Sequence, residues 1–213
     1  NRGAEYAMLL TVPAAFALMV IAQPIVATLF ERGAFGADSS AATAQALVAY
    51  AIGLPAYVGI RVFTPSFFAR EDTATPVKIA ALAIAVNIGL NLILMQPLGH
   101  AGIALASSIS AWLNVVLLVG VLIRRRHYSP DSRLLRRGAG ILAASAMMGA
   151  ALWGGADILA PWLQAHGLIR WAALTALIGG GLALYFILAR LFGVFVMAEI
   201  RRTLRRPPKT PNA

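Results

Sequence analysis

The stretch Arg61–Lys78, RVFTPSFFAREDTATPVK, decides the fold. It sets an arginine inside an apolar run and interrupts the helix at Pro65. It then leaves the apolar phase at Arg70-Glu71-Asp72 and opens a new helix at Thr75-Pro76. Proline lacks a backbone donor but fits a helix's first turn, so it breaks at 65 and starts at 76. The runs on either side reach about 20 residues, enough to cross a bilayer. A cation within such a run costs about 2.5–3.5 kcal/mol on insertion scales, so it faces a wet cavity or a partner. A protein that keeps Arg61 there is expected to move or bind something polar, not only to anchor.

The rest of the chain agrees. Its 213 residues are 60% hydrophobic and 12% charged, with mean hydropathy +0.77. This composition predicts an all-α, polytopic integral membrane helix bundle. Six transmembrane helices are expected, near residues 6–30, 46–69, 77–97, 102–123, 138–160 and 171–192. The absence of cysteine excludes disulfides, thiolate zinc sites and thiol catalysis. His100, His127 and His166 stand far apart near span ends and read as interfacial residues; no metal site is expected. The chain opens at Asn1 directly before an apolar run, and the expectation is the C-terminal part of a longer protein.

The net charge of +10 is distributed as a membrane topology would place it. Of the 18 Lys and Arg residues, only Arg32 and Arg170 fall on one side of the membrane, while Arg61 and Arg190 lie within spans. All others fall on the opposite side, at Arg2, in the 70–78 loop, in the 124–137 loop and in the tail. Basic residues mark the cytoplasmic side, so both ends are expected there. The other face would carry a 31–45 loop, a tight Pro97–Gly102 turn and a 161–170 loop flanked by Trp153, Trp162 and Trp171. No aromatic platform accompanies the basic residues, so membrane lipids rather than nucleic acid are the expected partners. Residues 193–213 read as a basic cytoplasmic tail, a short amphipathic segment followed by disorder.

Polar residues inside spans are the candidate site residues. Arg61 is flanked by Gly53, Pro55, Gly59 and Pro65, which predicts a kinked helix. Arg70 sits at the membrane exit beyond it. Asn87 and Asn91, spaced i, i+4, share one face of the third span, and Ser107, Ser108, Ser110 and Asn114 lie in the fourth. Amide and hydroxyl groups across two spans ordinarily glue helices together. Asn87, Asn91 and Ser107 would also suit a hard cation such as Na⁺, although neither span holds a carboxylate. The last two spans carry small residues at four-residue spacing, Ala146, Ala150 and Gly154, then Ala172, Ala176 and Gly180. These suit close helix packing or a shallow groove for a lipid chain. The eight acidic residues form no paired set inside a span, and no nucleophile–base arrangement appears, so no enzyme is expected and catalytic residues are none.

Three stretches carry a resemblance: PIVATLFERGAFGADSS (24–40), RVFTPSFFAREDTATPVKIA (61–80) and PLGHAGIALASSISAWLN (97–114). Together with the span spacing, they resemble the C-terminal part of the MurJ/MviN lipid II flippases, of the multidrug/oligosaccharidyl-lipid/polysaccharide (MOP) exporter superfamily. The resemblance implies a MATE-like transporter lobe. Fourteen spans are usual there, and these would be the last six, with both ends cytoplasmic. It implies movement of undecaprenyl-pyrophosphate-linked peptidoglycan precursor (lipid II) from the inner to the outer leaflet of the bacterial cytoplasmic (inner) membrane, by alternating access between two lobes. The main headgroup site would lie in the missing N-terminal lobe of the same protein. Arg61 matches a basic position of the tenth span, and Arg70 would be a second substrate contact. Residues 1–123 would form the transporter lobe, 124–137 a basic cytoplasmic loop, and 138–192 two additional spans with a lipid-tail groove. No cofactor is implied; Na⁺ is the candidate coupling ion. The rivals are a flippase for another lipid-linked oligosaccharide, such as O-antigen units, and a non-transporting membrane scaffold.

Overall fold

The computed structural model describes residues 2–31, 36–129, 131–165 and 167–193. The described elements are all helices: α1 (Arg2–Phe30), α2 (Ala37–Phe63), α3 (Pro65–Phe68), α4 (Ala74–Arg124), α5 (Ser132–Ile158), α6 (Ala160–Leu163) and α7 (Leu168–Leu191). Five described segments are long and apolar enough to span a membrane, with α2 and α3 forming one of them.

The 51-residue α4 makes two passes. Its backbone leaves helical geometry at Gly99, with φ +54° and ψ −129°. Asn87 donates to Ser107 and Ser110. Along one straight helix, residues 20 apart would be separated by about 30 Å. The contact therefore requires the chain to reverse at Gly99, giving two antiparallel arms. Positive φ favours glycine there. Gly102 is needed for space, because a Cβ would overlap the Leu94 carbonyl oxygen. The six expected passes are present, and the expected Pro97–Gly102 turn is the reversal.

α1 is the hub. It packs against α2 on one side and against α5 and α7 on the other, while α2 packs against α4 and α5 against α7. One apolar core joins α1, α5 and α7 through Val12, Ile21, Ile141, Met148, Leu152 and Leu177. A second holds α3 to both arms of α4 through Phe67, Ile79, Leu118 and Leu122. Each end of α1 carries an ion pair. Glu5 meets Arg137 at 2.8 Å and Arg133 at 3.6 Å, and Glu31 meets Arg170 at 3.3 Å. Glu5 and Glu31 lie about 39 Å apart along a helix rising 1.5 Å per residue, so they sit at opposite membrane faces.

Several boundaries differ from expectation. α2 begins at Ala37, so the 31–45 loop shrinks to the link before it. The first turns of α2 are polar, ADSSAATAQ, and a hydropathy reading passes over helix that extends beyond the apolar run. The 124–137 loop is likewise shorter. α5 starts at Ser132, where the Asp131 side chain accepts from the Leu134 N–H at 2.9 Å. That is an N-cap, and it makes Arg133, Arg136 and Arg137 helical.

Pro65 does not end the span. It opens the one-turn α3, and helical backbone continues through Thr64. α2 passes through Gly53, Pro55 and Gly59 as one element. Apart from the reversal at Gly99, non-helical backbone within a described helix lies in α1, at Ile21 with φ −108° and ψ 20°. It stands three residues before Pro24, whose ring crowds the preceding turn. The small-residue faces are also rephased. Ala146, Ala150, Ala172, Ala176 and Gly180 are exposed, and the seam runs through Ala144, Met148, Leu152 and Gly181. The tail beyond Gly193 and Arg32 lie outside the described residues, as does His166.

Candidate functional site

Arg61 occupies the last turn of α2 and is exposed. It has no hydrogen-bond or ion-pair partner among the described residues. It lies nine residues before Arg70, which corresponds to about 13 Å of helix below the membrane exit. A bilayer core is about 30 Å thick, so this is near mid-depth. The expected cation is thus presented, not neutralised, by the described residues.

The opposite face of α2 is different. Ile52, Pro55, Gly59, Val62 and Phe63 line an apolar cavity of about 700 Å³. α1 supplies Met8, Val12, Phe16 and Met19, the second arm of α4 supplies Trp112, Val115, Val116 and Val119, and α5 supplies Leu134 and Leu142. At about 100° per residue, Arg61 projects roughly 180° from Ile52 and 200° from Gly59. α2 therefore divides a cationic face from a hydrocarbon-lined one. Trp112 faces the cavity with its ring, because its Nε1–H donates to the Ile52 carbonyl at 2.9 Å. A smaller apolar cavity of about 190 Å³ lies where α1 meets α5 and α7. α5 gives only its first half to the larger cavity.

α2 is held to the second arm of α4 by two side chains on successive turns. Ser108 Oγ donates to the Ala49 carbonyl at 2.6 Å, one turn from the Trp112 bond. Gly53 makes the approach possible: a Cβ there would stand 2.5 Å from Ser108 Oγ. At Gly59 it would stand 2.8 Å from a Val115 methyl. These glycines serve close packing rather than bending.

The polar cluster of the third and fourth passes does assemble. Asn87 Nδ2 donates to Ser110 Oγ at 3.1 Å and to Ser107 Oγ at 3.4 Å. Asn91 Nδ2 donates to Asn87 Oδ1 at 3.0 Å. Ser107 and Ser110 donate onward to the Ile103 and Ser107 carbonyls. The chain of donors closes the α4 hairpin. One acceptor is left over: Asn91 Oδ1 is buried without a partner.

Arg70 is exposed and donates from Nη1 to the Ser66 carbonyl at 2.7 Å, closing α3. Its remaining guanidinium donors are not used by that bond. Next to it, Asp72 accepts from the Thr75 N–H at 3.0 Å and from Thr75 Oγ1 at 2.7 Å, and it pairs with Arg125. The Thr75 hydrogen bonds, then Arg125, lower the Asp72 carboxyl to about 2. This clamp fastens the 70–75 loop to the end of α4. Sequence reading missed it, although the Asp-x-x-Thr spacing was a capping signal.

A family model described as "Lipid II flippase MurJ" matches residues 1–198. The chain belongs to the MurJ family. Relatives of high similarity include a probable lipid II flippase MurJ of Rhizobium meliloti (strain 1021), 42% identical over 208 residues, covering 97% of this chain and 39% of the relative. A lipid II flippase MurJ of Burkholderia cenocepacia is 34% identical over 201 residues, 94% of this chain and 39% of the relative. A solved structure of lipid II flippase MurJ in an inward closed conformation superposes with TM-score 0.73 at 25% identity, over 97% of this chain and 39% of that one. The chain spans about two-fifths of the length of these MurJ relatives. The MurJ match confirms the all-α transporter fold and the resemblance carried by residues 24–40, 61–80 and 97–114.

Proposed function

We propose that this chain is the C-terminal lobe of a lipid II flippase. The whole protein moves undecaprenyl-pyrophosphate-linked peptidoglycan precursor from the inner to the outer leaflet of the cytoplasmic membrane by alternating access; the lobe carries transport, not catalysis. The observation that carries the reading is Arg61, an exposed cation near mid-depth with no partner among the described residues. Uncompensated charge at that depth is costly, and an anionic headgroup offsets the cost. Arg70 adds a second cation where the substrate enters. The large apolar cavity behind α2 has the volume of a ligand pocket and takes part of the polyprenyl chain. Both ends of the chain are cytoplasmic, as the asymmetry of Lys and Arg supports.

Na⁺ is the proposed coupling ion, at Asn87, Asn91 and Ser107. The free Asn91 Oδ1 supports it. Transport that is independent of Na⁺, or that keeps its Na⁺ dependence in Asn91→Ala, would leave the cluster as helix glue alone. The test of the whole reading is rescue of a strain depleted of its own lipid II flippase by the full-length protein. Growth and normal shape are expected. Failure there, with rescue of an O-antigen flippase mutant instead, would assign another lipid-linked oligosaccharide; failure of both would leave the scaffold reading.

A further inference from the structure

At the membrane face opposite the N-terminus lies a third cavity, of about 400 Å³, unlike the two apolar ones. Its polar lining comes from Gln23 of α1, Glu31 just after α1, Gln164 after α6, and Arg170 of α7. Arg170 is the centre of it. Its Nη2 holds Glu31 Oε2 at 3.3 Å, and its side chain is 19% exposed. Its Nε is buried and has no hydrogen-bond partner. A buried guanidinium donor is normally satisfied, so the free Nε marks a place for an acceptor. The cavity is thus lined by one cation, whose unused Nε comes into reach when the guanidinium turns outward, and by one anion beside it.

The surroundings place it at the level of lipid headgroups. Trp162, Trp171, Leu168 and Ile169, close in sequence to its lining residues Leu163 and Arg170, are exposed. Indole rings favour the membrane interface. We infer that this cavity binds a zwitterionic lipid headgroup of the phosphoethanolamine type. The phosphate accepts from the Arg170 guanidinium, which turns to present Nε, and the primary ammonium donates to Glu31 and to the Gln23 or Gln164 side-chain carbonyl. A headgroup with charges of both signs complements an Arg–Glu pair; an anionic headgroup would meet the Glu31 carboxylate unfavourably. A quaternary ammonium has no N–H and cannot make the donor half of the contact. The site is separate from Arg61 and does not depend on which substrate is flipped.

The experiment uses the purified full-length protein and short-chain phosphatidylethanolamine, phosphatidylcholine and phosphatidylglycerol, with binding read by native mass spectrometry. Phosphatidylethanolamine should bind at least tenfold tighter than the other two. Glu31→Gln should bring it to the phosphatidylcholine level. Gln164→Trp, which fills the mouth and leaves the ion pair intact, should weaken it at least fivefold while the unfolding temperature in lipid-free detergent stays unchanged. Soluble phosphoethanolamine should bind far more weakly than the lipid. Equal binding of all three lipids, a preference for phosphatidylglycerol, a preference that survives both variants, or equal binding of the soluble headgroup would each overturn the assignment.

Discussion

Glu5→Gln keeps the size of the side chain and removes a carboxylate that is 7% exposed and faces two arginines of α5. The two contacts are unequal. Arg137 is 2.8 Å away and 15% exposed, whereas Arg133 is 3.6 Å away and 42% exposed. Breaking a buried pair costs about 3–5 kcal/mol when the remaining charge is trapped. Arg137 sits near a span end, and its long stem lets the guanidinium reach toward headgroups, which reduces the expected loss to about 2–3 kcal/mol. Arg133, being solvent-exposed, contributes no more than about 1 kcal/mol. The assay is reversible denaturation of the full-length protein in detergent, run as a double-mutant cycle. Glu5 and Arg137 should couple by at least about 1.5 kcal/mol, and Glu5 and Arg133 by under about 0.5 kcal/mol. Additive effects for Glu5 and Arg137, or a stronger coupling to Arg133, would refute the claim that this ion pair fastens α5 to the hub helix.

Tyr185 is buried and donates to the Leu9 carbonyl at 2.8 Å, the acceptor that Pro13 leaves without an N–H. Tyr185→Phe should therefore cost about 1–2 kcal/mol in the same assay, and Pro13→Ala should shrink that penalty by restoring a helical donor. Gly53→Ala should destabilise by about 1–3 kcal/mol through the overlap with Ser108, and Ser108→Gly should recover part of it. The Asp72 clamp should hold at all pH values above the ordinary aspartate range and loosen only as pH falls through that range toward about 2. Native carboxyl titration by NMR checks it, and an Asp72 titrating near its ordinary value would argue against the Thr75 and Arg125 contacts.

The passes were legible because apolar run length is set by bilayer thickness, a constraint that acts on each segment alone. The reversal at Gly99 was legible for a similar local reason: proline and glycine cluster between two apolar runs. What the sequence hid was pairwise. Glu5 and Arg137 are 132 residues apart, and nothing near either announces the other. Gly53 and Gly59 read as kink residues, whereas Ser108 and Val115 pack against them. Polar helix was read as loop at both Ala37 and Ser132 because hydropathy measures burial in lipid, not backbone conformation. Asp131 and the i, i+4 spacing of Arg133 and Arg137 did carry the helical signal. Arg61 could be singled out from its apolar neighbours alone; that α2 turns it away from the large cavity required the structure.

Complementation decides whether Arg61 takes part in moving the substrate. A strain depleted of its lipid II flippase is complemented with full-length protein carrying Arg61→Ala or Arg61→Lys, with membrane abundance matched to the wild type. The alanine variant should fail to support growth, and the lysine variant should support it in part, since it keeps the charge without the bidentate fork. Full rescue by Arg61→Ala at equal abundance would contradict the account and show that this cation takes no part in moving the substrate.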